Sequence, residues 1–209
     1  MIRPAEWRSI ALIALSYIVG ALAYVRLHGP FLDEMPSSRW LIAFVLPTAT
    51  LVIAVIFRSL WRHDRIRSGN GAFEATYQAI VFRALLFVCA LHVVVMVLVT
   101  DVMDVMGIRT WGGRSVLVML GLTISAIGNL LPRTRPNVAV GVRTTRTLTN
   151  AQLWQQVHRV GGYLAVGLGV ITAVTGLMLR PMVGVSAVFL AALLATLILF
   201  VSYRKYARV

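Results

Sequence analysis

The chain is expected to be an all-α, polytopic bundle of about six transmembrane helices with both termini in the cytoplasm. Composition is the first sign. Of 209 residues, 59% are hydrophobic and 13% charged, with a mean hydropathy of +0.83, far from the balance of a soluble domain. The second is a set of six apolar stretches, approximately residues 9–25, 40–60, 79–100, 115–131, 163–179 and 183–203. Each can hold the about 20 residues that cross a bilayer core of about 30 Å. The runs do not alternate like barrel strands, and lipid cannot satisfy an open backbone, so helices are the default. The third is an arginine asymmetry, because cytoplasmic loops retain positive charge. One side collects Arg3, Arg8, Arg58, Arg62, Arg65 and Arg67, then Arg133, Arg135, Arg143, Arg146 and Arg159, and finally Arg204, Lys205 and Arg208. The other has Arg26, Arg39, Arg109, Arg114 and Arg180 and also holds Asp33, Glu34, Asp101 and Asp104.

The spans follow in order. Arg3 and Arg8 before an apolar run ending in Ala21-Leu22-Ala23 resemble a signal peptide. Retention is expected, because the run starts well before that site, continues through Tyr24 and Val25, and leaves an even-numbered bundle. Pro47 kinks the second span by removing a backbone donor. Residues 58–74 read as a solvated basic loop with a turn at Ser68-Gly69-Asn70-Gly71. The third span carries the chain's single cysteine, Cys89, so no intramolecular disulfide can form. It also carries Arg83, close enough to the cytoplasmic end to snorkel, and His92, deeper in the span. Gly121, Ser125 and Asn129 form a small polar seam on the fourth span. Gly161, Ala165, Gly169 and Ala173 do the same on the fifth, and Ala187, Ala191 and Ala195 on the sixth. Such i, i+4 seams let backbones approach where lipid offers no hydrophobic drive. A tight link from Leu179 to Met182 makes the last two helices an antiparallel pair. Residues 1–114 therefore form a three-span half, and residues 115–209 a second half with the polar segment 129–162 between spans four and five.

Several functions are disfavoured. A net charge of +13 and a pI near 11.5 suggest nucleic acid in a soluble protein, but membrane topology accounts for them, and anionic headgroups are sufficient partners for the basic loops. No nucleic-acid motif or aromatic platform is present, so no direct nucleic-acid partner is expected. His28, His63, His92 and His158 fall at differing depths without paired spacing, so neither a metal nor another cofactor is expected. No G-x-S-x-G, H-E-x-x-H or phosphate loop occurs, and no catalytic residue is assigned.

Segment 129–162 has its own grammar. Leu131-Pro132 ends the fourth helix and Arg135-Pro136-Asn137 repeats the stop, while Gly141 permits a turn that other residues resist. Thr149 and Gln152 form a capping-box pattern that starts a helix near Asn150. On that helix Trp154 and His158 lie one turn apart, beside an apolar strip of Leu153, Val157 and Val160. Trp154 suits the headgroup layer, so an interfacial anchor is one reading. The alternative is a recognition surface that brings Asn137, Arg143, Thr144, His158 and Arg159 to one membrane face.

The same residues resemble the SdpI family of bacterial membrane proteins, whose named member gives immunity against a sporulation-delaying toxin. The family pattern runs G-N-x-L-P, P-N-x-x-x-G-I-R-T, T-L and W-x-x-x-H-R-x-x-G. It is met by Gly128, Asn129, Leu131 and Pro132; by Pro136, Asn137, Gly141, Val142, Arg143 and Thr144; by Thr147 and Leu148; and by Trp154, His158, Arg159 and Gly162. Thr145-Arg146 stand where the pattern has Pro-Trp, and Val157 where it has Thr. The first half is only loosely similar, through His28-Gly29-Pro30, Asp33, Ser38-Arg39-Trp40 and Pro47. The resemblance implies a six-span protein of the bacterial cytoplasmic membrane that confers toxin immunity or transduces a signal. Its partners would be a cytoplasmic transcriptional repressor and a secreted toxin. The residues carried over as a partner- or ligand-binding set are Asn129, Pro132, Asn137, Gly141, Arg143, Thr144, Trp154, His158 and Arg159. Two alternatives stand beside this: a small-molecule or lipid transporter with a polar path through Arg83, His92, Ser125 and Asn129, and a membrane enzyme using His158 and Arg143 on an anionic headgroup.

Overall fold

A computed structural model describes residues 4–27, 36–68, 74–100, 108–179 and 181–207, and among them the long regular elements are all α-helices. They are α1 (Pro4–Tyr24), α2 (Pro36–Ser68), α3 (Glu74–Val99), α4 (Ile108–Gly128), a short α5 (Thr145–Thr149), α6 (Ala151–Met178) and α7 (Pro181–Tyr206), with one 3-10 turn at Leu131–Arg133. All but α5 are long and apolar enough to cross a bilayer. The chain is a multi-pass membrane protein, and its outward faces carry the large apolar side chains that a soluble protein would bury, Leu22, Leu41, Phe189 and Val201 among them.

Helices α1, α2 and α3 pack on one another, as do α4, α6 and α7, and α3 meets α4 between the two groups. The tightest pair is α4 and α6. A methyl on Gly128 would lie 2.7 Å from Ala165 Cβ, and one on Gly176 would lie 2.8 Å from Leu117 Cβ. At Gly121 and Gly169 it would collide with the opposite backbone. Ser125 Oγ bridges the pair by donating to Val166 O at 3.0 Å. Ala165, Gly169 and Ala173 thus face α4, and Gly121 and Ser125 face α6 in return. Two residues of the expected seams leave them: Asn129 is exposed at the end of α4, and Gly161 faces Leu199 of α7. Ala187, Ala191 and Ala195 of α7 lie on its half-buried stripe.

In the first group, Tyr17 and Phe44 stack, Tyr24 packs on Trp40, and the Tyr17 hydroxyl lies 3.1 Å from Thr48 Oγ1. Beneath them is a polar node. Pro47 has no N–H, so the Ala43 carbonyl one turn earlier has no helix donor. Gly20 of α1 lies directly over that oxygen, where any side chain would collide with it. His92 of α3 is fully buried, and its Nδ1 lies 2.9 Å from Ser16 Oγ. Its Cε1 and the Ala43 carbonyl both lie against Gly20, and its Nε2 has no hydrogen-bond partner among the described residues. Arg83 folds back onto its own helix, donating to Ala79 O at 2.9 Å, which keeps its charge toward the near end of the span.

One expectation fails at α2. Residues 58–68 are helical rather than loop, and Trp61 and Asp64 are buried. Phe57, Trp61 and Asp64 recur at helical spacing, so one face of this basic stretch packs inward while Arg62 and His63 stay exposed. The turn expected at Gly69–Gly71, and His28, Asp33, Asp101 and Asp104, lie outside the described residues.

Candidate functional site

Segment 129–162 folds as a compact unit at the end of the bundle where α2 and α7 finish and α3 begins. Its interior is built by side chains bonding backbone, as a chain without regular structure requires if it is buried. Asn137, 2% exposed, uses all of its capacity. Its Oδ1 accepts the Ala139 and Val140 N–H groups at 2.9 and 2.7 Å. Its Nδ2 donates to Arg135 O at 2.7 Å and Val140 O at 3.2 Å. The preceding N–H, of Val138, is taken by the buried carboxylate of Asp64 on α2. Ala139 and Val140 then pack on Trp61, Tyr77, Val81 and Leu85. The loop is thereby fastened to α2 and α3 as well as to its own helices.

Trp154 and His158 form the second layer. Their rings stack with centroids 3.8 Å apart, and both residues are essentially inaccessible. Trp154 Nε1 donates to Thr134 O at 3.1 Å. His158 Nδ1 bonds the Trp154 carbonyl at 2.8 Å, and its Nε2 accepts the Val142 N–H at 3.0 Å. A carbonyl can only accept and an amide N–H can only donate, so the ring is the neutral tautomer with its proton on Nδ1. Gly141 sits over this ring at φ +110°, a backbone state that favours glycine, and a methyl there would overlap His158 Nε2. Trp154 is therefore no headgroup anchor. Its indole N–H is spent on Thr134, its ring stacks on His158 and the whole side chain is buried, which outweighs the interfacial preference of an exposed tryptophan. His158 likewise presents no ring nitrogen outward.

The third layer is a cap. Thr144 and Thr147 form a reciprocal capping box at the start of α5, with Thr147 N–H to Thr144 Oγ1 at 3.2 Å and Thr144 N–H to Thr147 Oγ1 at 2.9 Å. The box expected at Thr149 and Gln152 is displaced to this site. Asn150 caps α6 instead, accepting the Leu153 N–H at 2.9 Å. The intervening α5 uses up the residues that one continuous start would have needed. Thr147 is fully buried and also donates to Val142 O at 2.8 Å. Thr144 Oγ1 lies 3.2 Å from the Tyr203 hydroxyl, and Arg146 Nη1 donates to Ala207 O at 3.2 Å, so the end of α7 closes the unit. Pro132 packs on Gly162, where a methyl would lie 2.8 Å from its Cδ.

The residues singled out in the sequence thus divide into two sets. Pro132, Asn137, Gly141, Thr144, Trp154 and His158 form the frame, whereas Asn129, Arg143 and Arg159 are exposed. With Arg133, Arg135 and Arg146 also exposed, the unit shows five outward arginines and contains no aspartate or glutamate. The Arg143 guanidinium donates to Val138 O, which ties its stem to the frame. A guanidinium fork held this way can engage a carboxylate or phosphate through two hydrogen bonds. Among the described residues no three His, Cys, Asp or Glu side chains gather as a metal would require. Sequence reading missed Asp64 and Thr134 of the frame, and named Thr147 only as part of the T-L match. Asp64 had a signal, as a lone acid in the basic run Arg62-His63-Asp64-Arg65. Thr134 had none beyond its place in the segment.

The SdpI/YfhL protein family matches the chain over residues 133–203, which covers this unit from Arg133 onward, all of α6 and most of α7. No curated protein and no solved structure matches.

Proposed function

We propose that this SdpI-type membrane protein is a toxin-immunity or signal-transducing component of the bacterial cytoplasmic membrane, and that the 129–162 unit is its docking surface for a cytoplasmic partner. The observation that carries the reading is the contrast between the unit's inside and its outside. Inside, Asn137, Thr147, Trp154 and His158 satisfy the backbone without leaving a donor for a ligand. Outside, five arginines stand on that frame with no acid among them. A tether between two helices needs neither feature. A surface for an acidic patch on a partner needs both, because preorganised charges lose less entropy on binding. The carboxylates of a repressor would meet Arg143 and its neighbours, and binding of a secreted toxin to the bundle would alter the frame through its contacts with α2, α3 and α7.

A competition between strains tests this without the toxin being identified. A strain lacking this gene is grown in mixed culture with its wild-type parent. Loss of the deletion strain, rescued by the wild-type gene and not by an Arg143→Ala, Arg146→Ala variant of equal membrane abundance, is the expected result. Equal survival of the deletion strain overturns the immunity reading, and full rescue by the double variant overturns the arginine surface.

A further inference from the structure

We propose that a groove between α1 and α2, beside the loop unit, is a binding site for one acyl chain of an anionic phospholipid. The two helices touch through Tyr17, Gly20, Ala43 and Thr48 and open toward the end where α1 begins and α2 finishes. The opening holds a cavity of about 210 Å³ walled by Ile10 and Ile13 of α1 and by Leu51 and Val55 of α2. Tyr77 and Val81 of α3 form its floor. Apolar cavities of about 150 Å³ stay dry and take up a hydrocarbon guest. This one lies in a bundle whose surroundings are lipid, and Ile10, Leu51 and Val55 are exposed on its outer edge, so the available guest is a chain entering sideways.

The mouth decides the headgroup. Ser9, Arg58 and Gln78 line it, Arg8 adjoins Ser9, and the exposed Arg62 lies one turn beyond Arg58. Cationic and hydrogen-bonding groups above an apolar slot match a phosphate that carries net negative charge. The floor has a second face: Trp61, Tyr77, Val81 and Leu85 are also the residues on which Ala139 and Val140 of the loop pack. A chain in the groove therefore braces the loop unit from below. This site does not depend on the proposed docking function.

Native mass spectrometry of the intact protein in detergent, titrated with dioleoylphosphatidylglycerol or dioleoylphosphatidylcholine, tests the site. One tight adduct is expected with the anionic lipid, favoured about thirtyfold over the zwitterionic one if two basic side chains sit near its headgroup. Ala54→Trp, which fills the groove, should reduce that adduct to the level of the later, nonspecific ones. Leu51→Trp at the exposed rim should do the same without burying a larger side chain in the fold, whereas Ala14→Trp on the open face of α1 should leave it intact. Inorganic phosphate at millimolar concentration should not compete. Equal binding of both lipids, an adduct that survives both groove variants, displacement by phosphate alone, or a protein dimer abolished by the same variants would each overturn the assignment.

Discussion

Replacing Gly141 with alanine isolates the most constrained point of the loop. The residue holds φ +110°, and its Cα is packed against the imidazole of His158. Two costs add. Holding a non-glycine residue in so sparsely populated a backbone state costs about 1–3 kcal/mol. The new methyl must also displace His158 from the Val142 N–H, now bonded at 3.0 Å, and an orphaned buried donor costs about 1–3 kcal/mol. The sum of about 2–6 kcal/mol corresponds to a rise of about 30-fold to 20,000-fold in the opening equilibrium of the loop. Limited trypsin digestion reads that equilibrium directly, since the Arg133–Thr134 and Arg143–Thr144 bonds lie in the segment and cleavage follows the open population when reclosing is fast. Gly167→Ala is the control. That glycine lies within α6 with nothing inside 4 Å of a new methyl, and the change should stabilise the helix by about 0.5–1 kcal/mol. If Gly141→Ala is cut no faster than Gly167→Ala, the proposed construction of the loop is refuted.

Two further outcomes follow from the packing. Gly169→Ala should lower the thermal midpoint of the purified protein, because overpacking against the Gly121 and Ser125 backbone costs about 1–3 kcal/mol. Gly161→Ala, whose nearest neighbour would be a Leu199 methyl at 3.6 Å, should leave the midpoint unchanged or raised. Asp64→Ala should increase tryptic cleavage of the loop by stranding the Val138 N–H, at about 1–3 kcal/mol. Asp64→Asn keeps an acceptor oxygen and should restore most of the protection, and equal behaviour of the two variants would remove Asp64 from the loop's anchorage.

Much of the bundle could be read from the chain because lipid imposes a simple rule: an apolar run of sufficient length must be a helix. The small-residue seams were readable for the same reason, since close approach in a bilayer demands residues such as Gly121 and Gly169. The rule weakens where water begins. Residues 58–68 look solvated by charge, yet the face carrying Trp61 and Asp64 is buried, and a partner about 70 residues away in the chain decides which face that is. Within the loop, Pro132, Gly141 and the threonines announced stops, turns and caps. What local spacing could not convey was how completely the polar atoms are spent. Trp154 and His158 read as a tryptophan at an interface with a histidine beside it. Only the positions of Thr134 and Val142 show that both rings face inward, and those positions are set by a chain reversal that no short pattern encodes.

The node formed by Ser16, His92 and the Ala43 carbonyl bears on how α1, α2 and α3 find one orientation. An apolar helix in hydrocarbon can spin about its long axis at little cost, because each face it offers to lipid resembles the next. Stepping α1 by one residue would swing Ser16 through about 100° and remove it from His92, and the same step would carry Gly20 away from the Ala43 oxygen and bring a bulkier side chain against it. The imidazole and the carbonyl released by Pro47 therefore act like a key in a slot: with the Tyr17–Thr48 hydroxyl pair they set the rotational phase of three helices whose aromatic and aliphatic contacts would tolerate several.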